Sequence, residues 1–192
     1  GQVCASITRI IVSRDRQDQL LEALAQSFGK TRVEDPFDPQ SEMGPLAMAR
    51  QRDRVEGYIA KGKAEGATLA CGGGRPKHLN RGYYIEPTVF GNVDNQATIA
   101  REEIFGPVLS VIPAESEAQA IDLANDTVDG LNASVFTNDI DRAYAAARRL
   151  KTGNVGHNAL RWDQNIVFGG FKQSGIGREG GIEGLLPFLE AK

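Results

Sequence analysis

Short apolar segments alternate with amphipathic helical segments along the chain, and this alternation constrains the fold more than any other feature. Strands are predicted at residues 5–13, 68–71, 83–90, 108–112, 133–137 and 153–157. Helices are predicted at residues 15–27, 47–63, 116–125 and 141–150, and a short one at 181–189. This pattern is typical of a three-layer α/β domain with a largely parallel sheet flanked by helices. Because the sequence contains neither a repeat nor a linker, we expect one domain over residues 1–192.

Two local features refine this prediction. Pro87 lies within the predicted strand 83–90, so that strand is expected to be an edge strand or to bend there. Asp139 and Asp141 lie near the start of the helix 141–150, where negative charge suits the helix dipole.

Charge and composition exclude several classes of protein. The 22 Lys and Arg residues against 25 Asp and Glu residues give a net charge of −3, which disfavours a general nucleic-acid binder. No run approaches the roughly 18 apolar residues of a membrane span, and the first residues do not resemble a signal peptide. Cys4, Cys71, His78 and His157 match no zinc-ligand spacing. We expect a cytoplasmic protein with free thiols and no metal, cut from a longer protein because it lacks an initiator methionine.

Three stretches contain residues suited to chemistry. Cys4 lies among small residues and could act as a nucleophile, although a single cysteine is more often a buried apolar residue. Glu102 and Glu103 precede Phe105, and such a carboxylate could accept hydrogen bonds from a ribose, although a solvated helix end explains the stretch more simply. Residues 175–180 match the pattern G-x-G-x-x-G. We reject this match because no strand precedes it and too little chain follows it for a βαβ unit.

Five motifs in chain order resemble the aldehyde dehydrogenase superfamily over nearly the whole sequence. Residues 1–4 (Gly-Gln-Val-Cys) resemble its catalytic-cysteine motif, and residues 102–108 (Glu-Glu-Ile-Phe-Gly-Pro-Val) resemble its nicotinamide-side motif. Residues 168–179 match the pattern Phe-Gly-Gly-x-Lys-x-Ser-Gly-x-Gly-Arg-Glu at every fixed position. Residues 35–38 and 82–89 are also similar to family segments. One such motif would be weak evidence, but five in the same order argue against chance similarity.

The resemblance implies the catalytic, cysteine-bearing half of an NAD(P)-dependent aldehyde dehydrogenase. In that family Cys4 would be the nucleophile, and the aldehyde would become a carboxylic acid through a thiohemiacetal and a thioester. Glu103 would hold the nicotinamide-side ribose, and Phe105 would pack against the cofactor. Gln51 and Arg54 would contact the adenine-side ribose.

The resemblance also implies residues that line the substrate channel or support it. These are Asn158, Arg161, Trp162 and Phe168, with residues 159–167 forming a loop at the aldehyde entrance. Two positions depart from the family pattern. Val167 replaces the usual proline, and His157 stands where an aromatic residue or valine is common. Both departures bear on the identity of the aldehyde more than on the type of reaction.

Parts of the family's machinery would lie outside this sequence. The nucleotide-binding domain, the oxyanion asparagine and the general-base glutamate would come from an absent N-terminal half, so we expect the chain alone to be inactive. A C-terminal oligomerisation strand would be absent as well. The implied ligands are a small aldehyde and NAD or NADP, with no nucleic acid or membrane partner. The full-length protein would be a homo-dimer or tetramer, and exposed apolar surface would favour self-association of the fragment.

Three alternative functions remain at this stage. A CoA-acylating aldehyde dehydrogenase stays open, because the discriminating glutamate would lie in the absent half. A cysteine hydrolase with His157 as base is disfavoured, because His157 lies in a predicted strand and no orienting carboxylate is evident. A catalytically dead structural or interaction domain would require Cys4 to be buried and unreactive.

Overall fold

The computed structural model describes residues 1–160 and 163–190, and within these it contains six strands and six α-helices. The strands are β1 (Arg9–Ser13), β2 (Thr68–Cys71), β3 (Thr88–Gly91), β4 (Val108–Ala114), β5 (Asn132–Val135) and β6 (Asn154–His157). The helices are α1 (Gln17–Gly29), α2 (Ala49–Ala64), α3 (Thr98–Arg101), α4 (Glu117–Asn125), α5 (Ile140–Ala147) and α6 (Gly181–Leu185). The chain divides into two compact units, Gly1–Ala120 and Ile121–Lys192. None of the helices in the described part of the chain is long and apolar enough to cross a membrane.

The first unit is built on a four-stranded sheet in the order β1-β4-β3-β2. The pairs β1–β4 and β3–β4 are parallel, and the pair β2–β3 is antiparallel. Side chains of neighbouring residues in a strand point to opposite faces of the sheet. On one face, Val89 and Val111 pack with Leu21 of α1 to form a buried apolar cluster.

The opposite face of the same sheet is covered by α2 and α3. Phe90 of β3 approaches α2 so closely that a Cβ at Gly62 would lie 3.1 Å from its Cζ atom. Ser110 of β4 donates a hydrogen bond of 3.1 Å from Oγ to the Ile99 carbonyl oxygen in α3. The first unit therefore consists of a helix layer, the sheet and a second helix layer.

The second unit contains the parallel pair β5–β6, and α5 connects these two strands and packs against both. Asp139 caps α5, because its Oδ1 accepts a hydrogen bond of 3.0 Å from the Arg142 backbone N–H. The buried residues Ala143 and Ala146 form the inner side of α5. The expected negative charge at this helix start is therefore present as a true N-cap.

The predicted fold class is confirmed, since the structure is a mixed α/β fold with a mainly parallel sheet flanked by helices. Of the two alternatives predicted from Pro87, an edge position is wrong, because β4 and β2 pair with β3 on opposite sides. Pro87 directly precedes β3, so its missing N–H removes no hydrogen bond within the strand. The assignment of residues 1–192 to one catalytic domain stays a prediction.

Candidate active site

The segment that carries Cys4 lies against the loop between α3 and β4. A Cβ built on Gly1 would fall 2.0 Å from the Gly106 carbonyl oxygen, so the two backbones are in direct contact. Gln2 anchors the same segment, because its Oε1 accepts a hydrogen bond of 3.1 Å from the Ala47 backbone N–H. The Cys4 side chain is exposed. The structure therefore places an accessible thiol close in sequence to a residue that contacts this loop.

We name residues 102–107 the Glu103 loop. Ile104 is buried and anchors the loop, whereas Glu103 is exposed and Phe105 is half-buried. Within residues 1–160 and 163–190, the Glu103 carboxylate makes no hydrogen bond or ion pair, so it is available to a ligand. Phe105 has a φ of 60°, a left-handed conformation that is costly for a residue with a bulky side chain. The loop offers a carboxylate and an aromatic ring two residues apart.

Two side chains of α2 hold the backbone of the Glu103 loop. Gln51 donates from Nε2 to the carbonyl oxygens of Ile104 and Phe105, at 3.0 and 2.8 Å. Arg54 donates from Nη2 to the Glu103 carbonyl oxygen at 2.6 Å. Three consecutive carbonyls therefore accept hydrogen bonds from one helix. The predicted contacts of Gln51 and Arg54 with an adenine-side ribose stay a prediction.

Tyr58 and Glu102 extend this network. Tyr58 lies in none of the sequence motifs, and Glu102 lies in the motif at residues 102–108, where the resemblance gives it no role of its own. The Tyr58 hydroxyl accepts a hydrogen bond of 3.0 Å from Arg54 Nη2 and donates one of 2.6 Å to Glu102 Oε2. Burial raises the pKa of Tyr58, and the hydrogen bond to Glu102 raises it further. The spacing of Gln51, Arg54 and Tyr58 along one helix face was the available sequence signal.

In the second unit, Asn158 and His157 at the end of β6 both contact Thr137. Asn158 Nδ2 donates to the Thr137 carbonyl oxygen, and its Oδ1 accepts from the Thr137 N–H, each at 2.9 Å. His157 Nε2 lies 2.8 Å from the same carbonyl oxygen. The same nitrogen also lies 3.1 Å from Asn158 Nδ2. Nε2 therefore donates to the Thr137 carbonyl oxygen in one tautomer and accepts from the Asn158 amide in the other, so a neighbouring residue engages it in both. Asn158 adopts a φ of 52°, and these contacts hold it there.

Phe168 and Val167 are fixed through their backbones. Phe168 forms an antiparallel bridge with Glu179, in which the backbone N···O distances are 2.7 and 2.8 Å. The Val167 carbonyl oxygen accepts a hydrogen bond of 3.0 Å from Asn154 Nδ2. The pattern at residues 175–180 follows the 3₁₀ turn Lys172–Ser174, whereas a nucleotide-binding fingerprint would follow a strand, so the structure agrees with the rejection of this match. Arg161 and Trp162 lie outside the described residues.

The second thiol differs from the first in its surroundings. Cys71 is half-buried at the end of β2, and its Sγ lies 3.9 Å from the Pro87 carbonyl oxygen. Desolvation raises the pKa of Cys71, which disfavours its thiolate. Across residues 1–160 and 163–190, no group of three or more His, Cys, Asp or Glu side chains could hold a metal ion.

Five of the predicted site residues thus lie in the first unit: Cys4, Gln51, Arg54, Glu103 and Phe105. Asn158 and Phe168 lie in the second unit. The first unit combines an exposed thiol with a loop whose Glu103 carboxylate makes no hydrogen bond or ion pair among the described residues, and whose Phe105 ring is half-buried. That combination suits a covalent step on a carbonyl carbon next to a ribose-bearing ligand.

Comparison with known proteins identifies the class. The sequence model of the aldehyde dehydrogenase family matches residues 1–192, and the chain belongs to that family.

Three individual relatives show how similar the chain is to known proteins and how much of their length it covers. Betaine aldehyde dehydrogenase of Brucella melitensis is 49% identical over 195 aligned residues, which cover 100% of this chain and 40% of that protein. The structure of Mycobacterium tuberculosis aldehyde dehydrogenase complexed with NAD+ is 49% identical, with a TM-score of 0.98 over 100% of this chain and 40% of that one. A Pseudomonas syringae aldehyde dehydrogenase C variant, complexed with NAD+ and octanal, is 43% identical with a TM-score of 0.97, again over 100% and 40%. The chain therefore spans about two fifths of the length of these relatives.

Proposed function

We propose that this chain is the cysteine-bearing catalytic part of an NAD-dependent aldehyde dehydrogenase. The observation that carries the proposal is the contact between the Cys4 segment and the Glu103 loop, through Gly1 and Gly106. The likeness to two NAD+ complexes, at 49% and 43% identity, supports NAD as the cofactor. The names of the relatives make betaine aldehyde and octanal the first substrates to test.

The residues of the Glu103 loop fit the proposed cofactor. A carboxylate without a protein partner can accept hydrogen bonds from both hydroxyls of a ribose, and the Glu103 carboxylate has no such partner in the part of the chain that the structure describes. Phe105 can pack its ring against a flat heterocycle, because it is only half-buried. Gln51 and Arg54 hold the carbonyls of this loop and so fix the direction in which Glu103 points.

The chemistry begins at the Cys4 sulfur. Its thiolate adds to the aldehyde carbon, which forms a C–S bond and leaves an oxyanion on the former carbonyl oxygen. NAD, when bound beside the Glu103 loop, would accept the hydride that leaves this carbon. When the oxyanion re-forms the carbonyl and hydride departs, Cys4 carries a thioester. Attack by water then releases the carboxylic acid and restores the Cys4 thiol.

The exposed position of Cys4 supports a reactive role over that of a purely structural domain. The His157 geometry gives no support to a cysteine hydrolase, because Nε2 is engaged by the Thr137 carbonyl oxygen and the Asn158 amide nitrogen. We also propose that residues 1–192 alone do not turn over aldehydes. The resemblance assigns the general base and the oxyanion asparagine to the N-terminal half of the family's polypeptide, which this sequence does not include.

The test is a pair of cysteine variants in the natural polypeptide that contains this sequence. We expect Cys4→Ser to reduce NAD-dependent oxidation of betaine aldehyde or octanal by at least about a thousandfold, since the nucleophile is lost. Cys71→Ser is the matched control and should keep wild-type turnover, because Cys71 lies outside both the Glu103 loop and the segment that carries Cys4. Equal losses in the two variants, or full activity in Cys4→Ser, would contradict the proposal. Assays with and without CoA distinguish acyl transfer to a thiol from hydrolysis.

A further inference from the structure

We infer that Tyr58 is a positioning residue for cofactor binding, because its hydroxyl joins Arg54 to Glu102 and so fixes the Glu103 loop. This inference rests on the proposed function, since it concerns how the same loop receives its ligand. None of the motifs that resemble the family includes Tyr58.

The first step of the argument is the position of Tyr58 on α2. It is 7% exposed, and its ring lies beneath the Arg54 guanidinium, whose central carbon is 4.9 Å from the ring centroid. Lys61 approaches the same ring at 5.3 Å. These contacts hold the ring in place, so the hydroxyl has a defined direction. A buried hydroxyl with two partners is more strongly constrained than an exposed one.

The second step is the way this hydroxyl connects helix and loop. It accepts from Arg54, which at the same time donates to the Glu103 carbonyl oxygen. It also donates to the Glu102 carboxylate at 2.6 Å, and hydrogen bonds to an ionised acceptor are stronger than neutral ones. Tyr58 therefore restrains Glu102 directly and Glu103 through Arg54.

The third step is that the loop needs such restraint. Phe105 is left-handed, and a non-glycine residue keeps that conformation only when its surroundings impose it. Gln51 restrains the Phe105 side of the loop through two carbonyls. The Arg54–Tyr58–Glu102 chain restrains the other side. Without it, the Glu103 carboxylate would sample more orientations, and cofactor binding would have to select one of them.

The experiment compares Tyr58→Phe with the matched control Tyr84→Phe. Tyr84 is 8% exposed, and its hydroxyl makes no hydrogen bond with the residues that the structure describes. Both substitutions keep the ring and remove one oxygen. Glu102→Gln is a second variant that keeps an acceptor oxygen but removes its charge. The readouts are deuterium uptake of residues 98–108 and steady-state kinetics with NAD as the varied substrate.

We expect Tyr58→Phe to increase deuterium uptake in residues 98–108 only, and to raise KM for NAD about tenfold with kcat nearly unchanged. Glu102→Gln should give a smaller change in the same direction, and Tyr84→Phe should change neither readout. Wild-type uptake in Tyr58→Phe, uptake that rises throughout the chain, or a fall in kcat at constant KM would overturn the inference. If the wild-type protein oxidises no aldehyde with NAD, the proposed function fails, while the uptake data still decide whether Tyr58 fixes the loop.

Discussion

One methyl group added at Gly106, in the Glu103 loop, should disturb the packing of this loop against α2. A Cβ there would lie 2.4 Å from Val55 Cγ2 and 3.3 Å from Val55 Cγ1. Relaxed carbon–carbon contacts lie at about 3.5–4.0 Å, so Gly106→Ala requires α2 and the loop to separate by about 1 Å. Val55 is fully buried, and a valine in a helix has one strongly preferred χ1 rotamer, so it cannot rotate away.

The expected loss in the free energy of unfolding follows from overpacking. Forcing an extra methyl into a packed contact costs about 1–3 kcal/mol of the free energy of unfolding. Val55→Ala alone should cost about 2 kcal/mol, because two buried methyl groups are lost and a cavity remains. In the double variant, the new Gly106→Ala methyl occupies the space that Val55 leaves. The cost of the double variant should therefore be lower than the sum of the single costs by at least about 1 kcal/mol.

Urea unfolding of the wild-type protein, the two single variants and the double variant provides the measurement. The same separation of α2 from the loop should lengthen the hydrogen bonds from Gln51 and Arg54, so Gly106→Ala should also raise KM for NAD. The double variant should recover part of that loss. Strict additivity of the unfolding free energies, or a Gly106→Ala protein as stable as wild type, would refute the close packing described for Gly106 and Val55.

Two further predictions concern stability away from the site. Asp139→Ala should lower the free energy of unfolding by about 1 kcal/mol in urea unfolding, because the N-cap of α5 is lost. Asp141→Ala in the same helix serves as control and should lower the free energy of unfolding by less than Asp139→Ala does. An equal loss in the two variants would contradict the N-cap assigned to Asp139. The hydrogen bond from Arg75 holds the pKa of Glu56 below its ordinary value of 4.5, so this pair stabilises the protein above that pH and loses its effect as pH falls through the lowered pKa. Arg75→Ala should therefore lower the free energy of unfolding at about pH 7 and leave it unchanged at about pH 2, and a loss of stability that persists in acid would count against the pair.

Much of the fold followed from hydrophobic periodicity. The predicted strand 68–71 matches β2, and the predicted helix 47–63 differs from α2 by one or two residues at its ends. The division into two units was not evident in the sequence. The boundary falls between Ala120 and Ile121, inside α4, so no linker or change of composition marks it.

The candidate site was predicted as a set of residue types, whereas the way those residues are held was not. Cys4 and Glu103 carry motifs that a sequence displays directly. The contacts from α2 to the Glu103 loop join residues 44 to 54 positions apart. Helical periodicity places Tyr58 on the same face of α2 as Gln51 and Arg54, but it does not show which loop that face contacts. The left-handed backbone of Phe105 could not be predicted from the sequence either, because most non-glycine residues avoid this conformation.

Acid quenching during the first turnover, followed by mass spectrometry, tests most directly whether Cys4 and the Glu103 loop form one catalytic site. The account predicts an acyl group on the tryptic peptide that ends at Arg9 and contains Cys4, and only when aldehyde and NAD are both present. An acyl group on the peptide that contains Cys71, or NADH formed in the first turnover with the Cys4 peptide unmodified, would contradict it.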